Sequence, residues 1–146
     1  MTRSIVEQAH DMYDAVPYEV PVPDDSLYNL LDDAARLYPD RIALDYFGAT
    51  TTYAQVRDQV LKAARVLHEA GVGPGDTVAI ALPNCPQAFV AFYACMRIGA
   101  IAAQHNPLAP ASEIAGQLGR HGGKVAIVWE KCVDAYPLSV LDTVFT

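Results

Sequence analysis

Apolar side chains recur along this chain with helical spacing in some segments and as short unbroken runs in others. Residues 27–37 and 53–67 place apolar side chains every three or four positions, which predicts two amphipathic helices. Ser26 is the predicted N-cap of the first helix, and Thr52 opens the Thr-x-x-Gln pattern of a capping box before the second. Gly71 is the predicted left-handed residue that ends the second helix.

Apolar runs of strand length dominate the second half of the chain. They cover residues 78–82, 100–104 and 124–129, and a helical segment separates each run from the next. An earlier strand is predicted at 41–47, turning into a β-branched run at 50–52. Fully apolar strands that alternate with helices are typical of a sheet buried on both faces. The predicted fold class is α/β, with a parallel or mostly parallel sheet and helices on both faces.

The two helices between these runs have recognisable ends. Asn84 is the predicted cap of the first, with Pro86 in its first turn and Gly99 directly after its last residue. The second is predicted to follow residues 107–112 and to run through Arg120. Each helix therefore connects one buried strand to the next.

The chain divides into an arm and one domain. Prolines at positions 17, 21 and 23 favour extended backbone, so residues 1–24 are predicted to form an N-terminal arm. Residues 25–146 are predicted to form a single α/β subdomain, a length that suits one hydrophobic core.

The helix predicted at 86–98 is apolar on every side, although a helix that covers one face of a small sheet should keep a polar outer side. The single formal charge between Thr77 and Ser112 is Arg97. This helix is predicted to need a further layer, which a chain of this length hardly supplies. The chain is therefore expected to be part of something larger, and its exposed apolar faces are expected to associate with copies of itself or with the missing part.

Composition excludes several classes of function. The 146 residues carry 10 Lys+Arg against 17 Asp+Glu, a net charge of −7, which lacks the positive footprint of nucleic-acid binding. The three cysteines have no close pair, which argues against a disulfide framework and a zinc site. The longest apolar run, residues 88–96, is too short to span a membrane. A soluble, cytoplasmic protein is expected.

Two loops invite a functional interpretation. Residues 71–75 (Gly-Val-Gly-Pro-Gly) resemble a phosphate loop in composition, but they lie between a helix and the following strand, so a structural turn is predicted. Residues 83–86 lie at a strand-to-helix junction, where parallel sheets usually bind ligands. Without glycines there, capping by Asn84 is favoured over phosphate binding. Cys85 is an alternative reactive thiol at a helix start.

Other polar candidates are weighed in the same way. Arg97, near a helix C-terminus, is predicted to interact with the helix dipole, and a ligand or interface role is the alternative. The four histidines show no metal-ligand spacing. His105 ends a strand at the ligand-prone edge, although turn formation by Asn106-Pro107 is favoured. No catalytic, cofactor-binding or metal-binding residue is assigned.

An ordered series of local motifs between about Leu27 and Val128 resembles the start of adenylate-forming enzymes, and most of all the fatty-acyl-CoA synthetases. Each motif is weak alone, and their order and intervals make the resemblance fairly specific. The series comprises Thr52-Tyr53 before a helix, Gly71–Asp76, Val78–Pro86, Ala94–Ala100, Asn106-Pro107-Leu108, Glu113, Gln117-Leu118 and Val125–Val128.

The resemblance implies the first α/β subdomain of an N-terminal AMP-binding domain in a much longer enzyme. Such enzymes join a carboxylic acid to AMP with Mg-ATP, release pyrophosphate, and transfer the acyl group to coenzyme A. The family's phosphate loop, adenine motif, ribose-binding Asp and catalytic Lys match no residue here. Ala109 also replaces a common capping Thr, which Pro110 at the first helical position is expected to offset in part. The chain alone is therefore predicted to be inactive and to bind no cofactor tightly.

Two other functions stay open. One is a standalone flavodoxin-like binding or regulatory module without catalysis, with its ligand at the carboxyl ends of the strands. The other is a fragment of an enzyme that adenylates aryl or amino acids for a carrier protein. The expected partners of the fatty-acid ligase are the remainder of that ligase and a small carboxylic acid.

Overall fold

A computed structural model describes residues 24–146. The arm predicted at 1–24 lies outside these residues, apart from Asp24. None of the helices within 24–146 is long and apolar enough to cross a membrane.

Four α-helices, six strands and one 3-10 helix make up the described part of the chain. The α-helices are α1 (Leu27–Leu37), α2 (Tyr53–Glu69), α3 (Pro86–Ile98) and α4 (Ala111–His121). The strands are β1 (Ile42–Tyr46), β2 (Ala49–Thr52), β3 (Thr77–Ala81), β4 (Ile101–Gln104), β5 (Val125–Val128) and β6 (Thr143–Phe145), and the 3-10 helix is Glu130–Ala135.

The strands form two sheets. β1 and β2 pair as an antiparallel hairpin. The main sheet has the order β4-β3-β5-β6, and every pair in it is parallel. Ala79 in the central strand lies opposite Ala103 on one side and Ala126 on the other. The predicted parallel sheet is confirmed, and β6 is an addition that the mixed tail sequence did not indicate.

Side-chain alternation along the sheet separates two cores. Val78 and Ile80 of β3 pack toward α2 and α3 on one face. Ala79 and Ala81 of the same strand pack toward α4 and the 3-10 helix on the other. Because successive strand residues point to opposite faces, β3 is buried on both of its sides and needs to be apolar throughout.

A third apolar cluster covers the outer side of α3. Phe89, Val90 and Tyr93 of this helix pack against a buried group formed by α1 and α2, which includes Tyr28 and Val56. The expectation that the chain could hardly supply a further layer was therefore wrong for this side of α3. The periodicity of the sequence predicts α1 and α2, but it does not predict that both helices stack on α3.

Helix α2 begins with the predicted capping box. The backbone N–H of Gln55 donates to the Thr52 hydroxyl at 3.3 Å, and the Thr52 N–H donates to the Gln55 side chain at 2.9 Å.

We expect Thr52→Ala to lower the free energy of unfolding by about 0.5–2 kcal/mol, since one helix donor loses its acceptor. Urea denaturation followed by circular dichroism measures this. Thr50→Ala, in the exposed part of β2, is the control, and an equal loss in both variants would contradict the capping role.

Two predicted helix starts were wrong by one residue. Cys85, not Asn84, is the N-cap of α3, and no side chain caps it. Pro86 supplies the first helical residue as predicted, and because it has no N–H, one orphan donor is absent at that end. At α4, Pro110 is the N-cap and not the first helical residue.

Candidate functional site

The carboxyl ends of the parallel strands meet at one edge of the main sheet. The backbone N–H of His105, just after β4, donates to the carbonyl of Ile80 at 2.8 Å, and that of Trp129, just after β5, donates to Ala81 at 2.8 Å. These bonds extend the ladder by one residue on both sides of β3. They place the start of the Pro83–Pro86 loop beside His105 and Trp129 at the edge where open α/β sheets bind ligands.

Two open grooves flank the start of α3 at this edge. The first, of about 570 Å³, lies between the β1-β2 hairpin and α3, and its walls include Tyr46, Cys85 and Phe92. The second, of about 700 Å³, lies between α2, α3 and the sheet, and its walls include Val66, Leu82 and Phe145. Aromatic and aliphatic side chains dominate both linings. Such surfaces suit apolar groups or another protein segment.

The groove linings hold little charge. Asp45 is the one carboxylate among them. Its Oδ1 accepts a hydrogen bond from the Gly48 N–H at 2.9 Å, so it stabilises the hairpin turn. A pair of carboxylates for acid–base catalysis is absent from these linings, and within residues 24–146 no cluster of three or more His, Cys, Asp or Glu is placed to hold a metal ion.

The Gly71–Gly75 segment is a structural turn, as predicted. It connects α2 to β3 at the amino edge of the sheet, away from the grooves at the carboxyl edge. Gly71 has a φ of +88°, and the Gly73 N–H donates to the Asp76 side chain at 2.8 Å. The Gly75 N–H donates to the carbonyl of Gly99 at 2.8 Å, which ties this turn to the end of α3. Its donors are therefore used within the fold.

Arg97 contacts a second helix, and Cys85 lies in the wall of a groove. The Arg97 guanidinium lies over the Tyr28 ring, 5.1 Å from its centroid, so it connects the last turn of α3 to α1 through a cation–π contact. This contact adds to the predicted interaction with the helix dipole. Cys85 is half-buried in the wall of the first groove.

His105 is the one buried polar or charged residue among those described, at 7% exposure. Its Nδ1 lies 2.8 Å from the Tyr136 hydroxyl, and its Nε2 lies 3.0 Å from Nε2 of His121. Burial lowers the pKa of His105, and the neighbouring His121 and Arg120 lower it further. The turn predicted after it is also present, since the Leu108 N–H donates to the Asn106 side chain at 2.9 Å.

Sequence spacing did not reveal this three-residue cluster. His121 lies 16 residues after His105, and Tyr136 lies 31 residues after it. The available signal was positional, because His105 directly follows a strand and His121 ends the next helix along the chain. Recognising the pair required knowing how α4 crosses the sheet.

Comparison with known proteins supports the resemblance read from the motifs. A family model described as AMP-binding enzyme matches residues 31–144. Over 133 residues the chain is 33% identical to a long-chain-fatty-acid–CoA ligase of Bacillus subtilis strain 168, covering 88% of this chain and 24% of that relative. Over 94 residues it is 38% identical to a salicyl-AMP ligase / salicyl-S-ArCP synthetase of Mycobacterium tuberculosis, covering 61% of this chain and 17% of that relative. The chain thus spans about a quarter or less of these relatives.

A solved structure gives the same placement. The N-terminal domain of FACL13 from Mycobacterium tuberculosis superposes on the chain with a TM-score of 0.76 and 26% identity, covering 83% of this chain and 33% of that one. The four-stranded parallel sheet with helices on both faces is therefore the fold seen at the N-terminal end of adenylate-forming enzymes. The family model, the sequence relatives and the shared fold together show that the chain belongs to the AMP-binding enzyme family.

Proposed function

We propose that the chain is the N-terminal subdomain of a fatty-acid–CoA ligase. The observation that carries the proposal is the match to the Bacillus subtilis long-chain-fatty-acid–CoA ligase, which extends over 88% of this chain. The match to the salicyl-AMP ligase extends over a smaller share, 61% of this chain. The proposed reaction joins a carboxylic acid to AMP at the expense of ATP, releases pyrophosphate, and transfers the acyl group to the thiol of coenzyme A.

The described residues do not fit a Mg-ATP site. The glycine-rich turn lies at the amino edge of the sheet, and its N–H groups of Gly73 and Gly75 already have acceptors. The carboxylate in the groove linings, Asp45, is bonded to its own turn. We therefore propose that this subdomain alone is inactive, and that the residues that bind ATP and coenzyme A belong to the remainder of the ligase.

The contribution proposed for this subdomain is a rigid scaffold with apolar surfaces. The two grooves beside α3 are walled by aromatic and aliphatic side chains, and Phe47 at the hairpin tip is 95% exposed. Contact with the remainder of the ligase, or self-association of the isolated chain, would remove this apolar surface from water.

We also propose a cytoplasmic location. Cys85, Cys95 and Cys132 are all free thiols, which suits a reducing compartment. Cys95 lies on α3 and is buried in the hydrophobic core. Burial raises the pKa of its thiol to about 11, so this cysteine is unreactive at neutral pH.

Carboxylate-dependent exchange between ATP and pyrophosphate tests the proposed function. The polypeptide encoded by the whole reading frame that contains this sequence would be assayed with palmitate, acetate and salicylate, and then with coenzyme A. We expect exchange with palmitate and formation of its CoA thioester, and no exchange with residues 1–146 alone. Exchange with salicylate alone would support the aryl-acid branch, and absence of exchange with all three acids would contradict the ligase proposal.

A further inference from the structure

Three side chains from three separate elements meet on the face of the sheet that α4 covers. His105 follows β4, His121 is the last residue of α4, and Tyr136 directly follows the 3-10 helix. The Tyr136 hydroxyl lies 2.8 Å from Nδ1 of His105, and the two histidine Nε2 atoms lie 3.0 Å apart. Tyr136 itself is 2% exposed, within the core that includes Ile114 and Leu118. The cluster therefore joins α4 and the 3-10 helix to the end of a strand.

The hydrogen bonds define where the protons lie. The backbone N–H of Gly123 donates to Nδ1 of His121 at 3.0 Å, so this nitrogen carries no proton. Neutral His121 must then carry its proton on Nε2 and donate it to Nε2 of His105. Neutral His105 in turn carries its proton on Nδ1 and donates it to the hydroxyl oxygen of Tyr136. One direction of donation thus runs from Gly123 through both imidazoles to Tyr136.

An additional proton has no free acceptor in this chain of bonds. The unprotonated nitrogen of His121 faces the Gly123 N–H, and the unprotonated nitrogen of His105 faces the Nε2–H of His121. Protonation of either ring would place two N–H donors against each other. At least one of the bonds must therefore break when either histidine becomes charged.

The surrounding charges add to this cost. Arg120, adjacent to His121 on α4, is a positive charge that disfavours protonation of both rings, and burial is the larger cause of the lowered pKa of each. On the 3-10 helix, Cys132 is the ionisable neighbour of Tyr136, whose own pKa is raised chiefly by burial. Within residues 24–146, the ion pairs of the carboxylates are made with arginine and lysine side chains and none involves either histidine, so no carboxylate is paired with a ring to stabilise its charge.

We propose that His105, His121 and Tyr136 form a pH-sensitive latch that holds α4 and the 3-10 helix against the sheet. The latch is closed while both imidazoles are neutral. Protonation breaks at least one of the two bonds that run from Gly123 through His121 to His105, and it thereby releases the loop between α4 and β5. This device is independent of the proposed ligase function, because it uses none of the residues that line the two grooves.

The sign of the pH effect follows from linkage. An unfolded histidine titrates at about pH 6.5, and both folded histidines titrate below that value. As the pH falls below about 6.5 the unfolded state binds more protons than the folded state, so stability is lost. The unfolding equilibrium constant should rise by up to about tenfold per pH unit for each histidine until the folded pKa is reached. The pKa of Asp32 is lowered chiefly by its hydrogen bond to Arg57, so protonation of Asp32 also reduces stability as the pH falls. That loss occurs in a separate range, near and below pH 4.

Nuclear magnetic resonance of the full 146-residue chain between pH 8 and 4.5 tests the latch directly. We expect the imidazole signals of His105 and His121 to titrate together, below about pH 6.5, and the Gly123 amide to lose its protection from exchange in the same step. Fluorescence of Trp129, the single tryptophan, should change with them because it caps the 3-10 helix. Independent titration of His121 near pH 6.5 with an unchanged Gly123 amide would overturn the proposal.

A matched set of variants separates the latch from general acid sensitivity. His121→Asn keeps an acceptor oxygen for Gly123 but cannot be protonated, and we expect it to remove at least half of the slope of the unfolding constant between pH 6.5 and 5. His68→Gln, on the exposed side of α2, should leave that slope unchanged. If the asparagine variant does not fold, Tyr136→Phe provides the second measurement, and it should raise the pH at which the Gly123 amide becomes exposed. The latch would be refuted if His121→Asn left the pH slope of the unfolding constant unaltered and Tyr136→Phe left the pH of Gly123 amide exposure unaltered.

Discussion

Replacement of Leu118 by alanine is expected to lower the free energy of unfolding by about 2–5 kcal/mol. Leu118 lies on the inner side of α4 at 3% exposure and packs with Ala79, Ala126 and Val128 of the sheet. Truncation removes apolar contacts and leaves a cavity that the rigid strands fill only in part, so the transfer and cavity costs add. Urea denaturation monitored by circular dichroism measures the loss.

Leu108→Ala is the control for this substitution. Leu108 is the same residue type on the turn before α4, at 78% exposure, and its truncation should change the free energy of unfolding by less than about 0.5 kcal/mol. A similar loss in both variants would mean that the substitution acts through the unfolded chain. A loss below about 1 kcal/mol at Leu118 would contradict the packing of α4 on the sheet.

Replacement of Gly123 by alanine is expected to destabilise the chain by about 1–3 kcal/mol. A Cβ at this position would lie 2.6 Å from the backbone oxygen of Thr77 and 3.0 Å from Nδ1 of His121. The first neighbour belongs to β3, which pairs on both sides, so the loop must move instead of the strand. That movement also lengthens the hydrogen bond from Gly123 to His121. Thermal unfolding at pH 7.5, where both imidazoles are neutral, isolates the steric effect.

Gly119→Ala is the control, and it is expected to stabilise the chain although it is also a glycine-to-alanine substitution. Gly119 lies within α4, and a Cβ there would meet no atom within 4 Å apart from its chain neighbours and the backbone of its own helix. Alanine has a higher helix propensity than glycine, so a gain of about 0.5–1 kcal/mol is expected. Destabilisation by both substitutions would contradict the position of α4, and stabilisation by both would contradict the close approach of Gly123 to β3.

Much of the fold was predictable because its signals are local or periodic. The capping box at Thr52 and the left-handed Gly71 both lie where the sequence places them. The apolar runs became the central strands of a parallel sheet, since a strand covered on both faces cannot carry polar side chains on either. The motif series predicted the family for a related reason, because its members are short stretches of the strands, helices and turns of this repeating pattern.

The errors lie where neighbouring positions compete or where distant segments meet. Asn84 has the better capping side chain, but Pro86 starts the helix and places Cys85 at the N-cap. The tail contains β6, a strand that its short mixed sequence does not predict. It forms because its backbone pairs with β5. The outer side of α3 is covered by α1 and α2, and amphipathic spacing does not say which surface an apolar stripe will meet.

The amino-acid sequence by itself determined the order of helices and strands, the parallel sheet and the family, because these depend on spacing over a few residues and on short turns. Tertiary structure alone decided which apolar faces stack on α3, where the two grooves open, and that His105, His121 and Tyr136 meet. The physical reason is that a hydrogen bond or a packed contact depends on distance in space. Residues 16 and 31 positions apart come within 3.0 Å only after α4 and the 3-10 helix dock on the sheet.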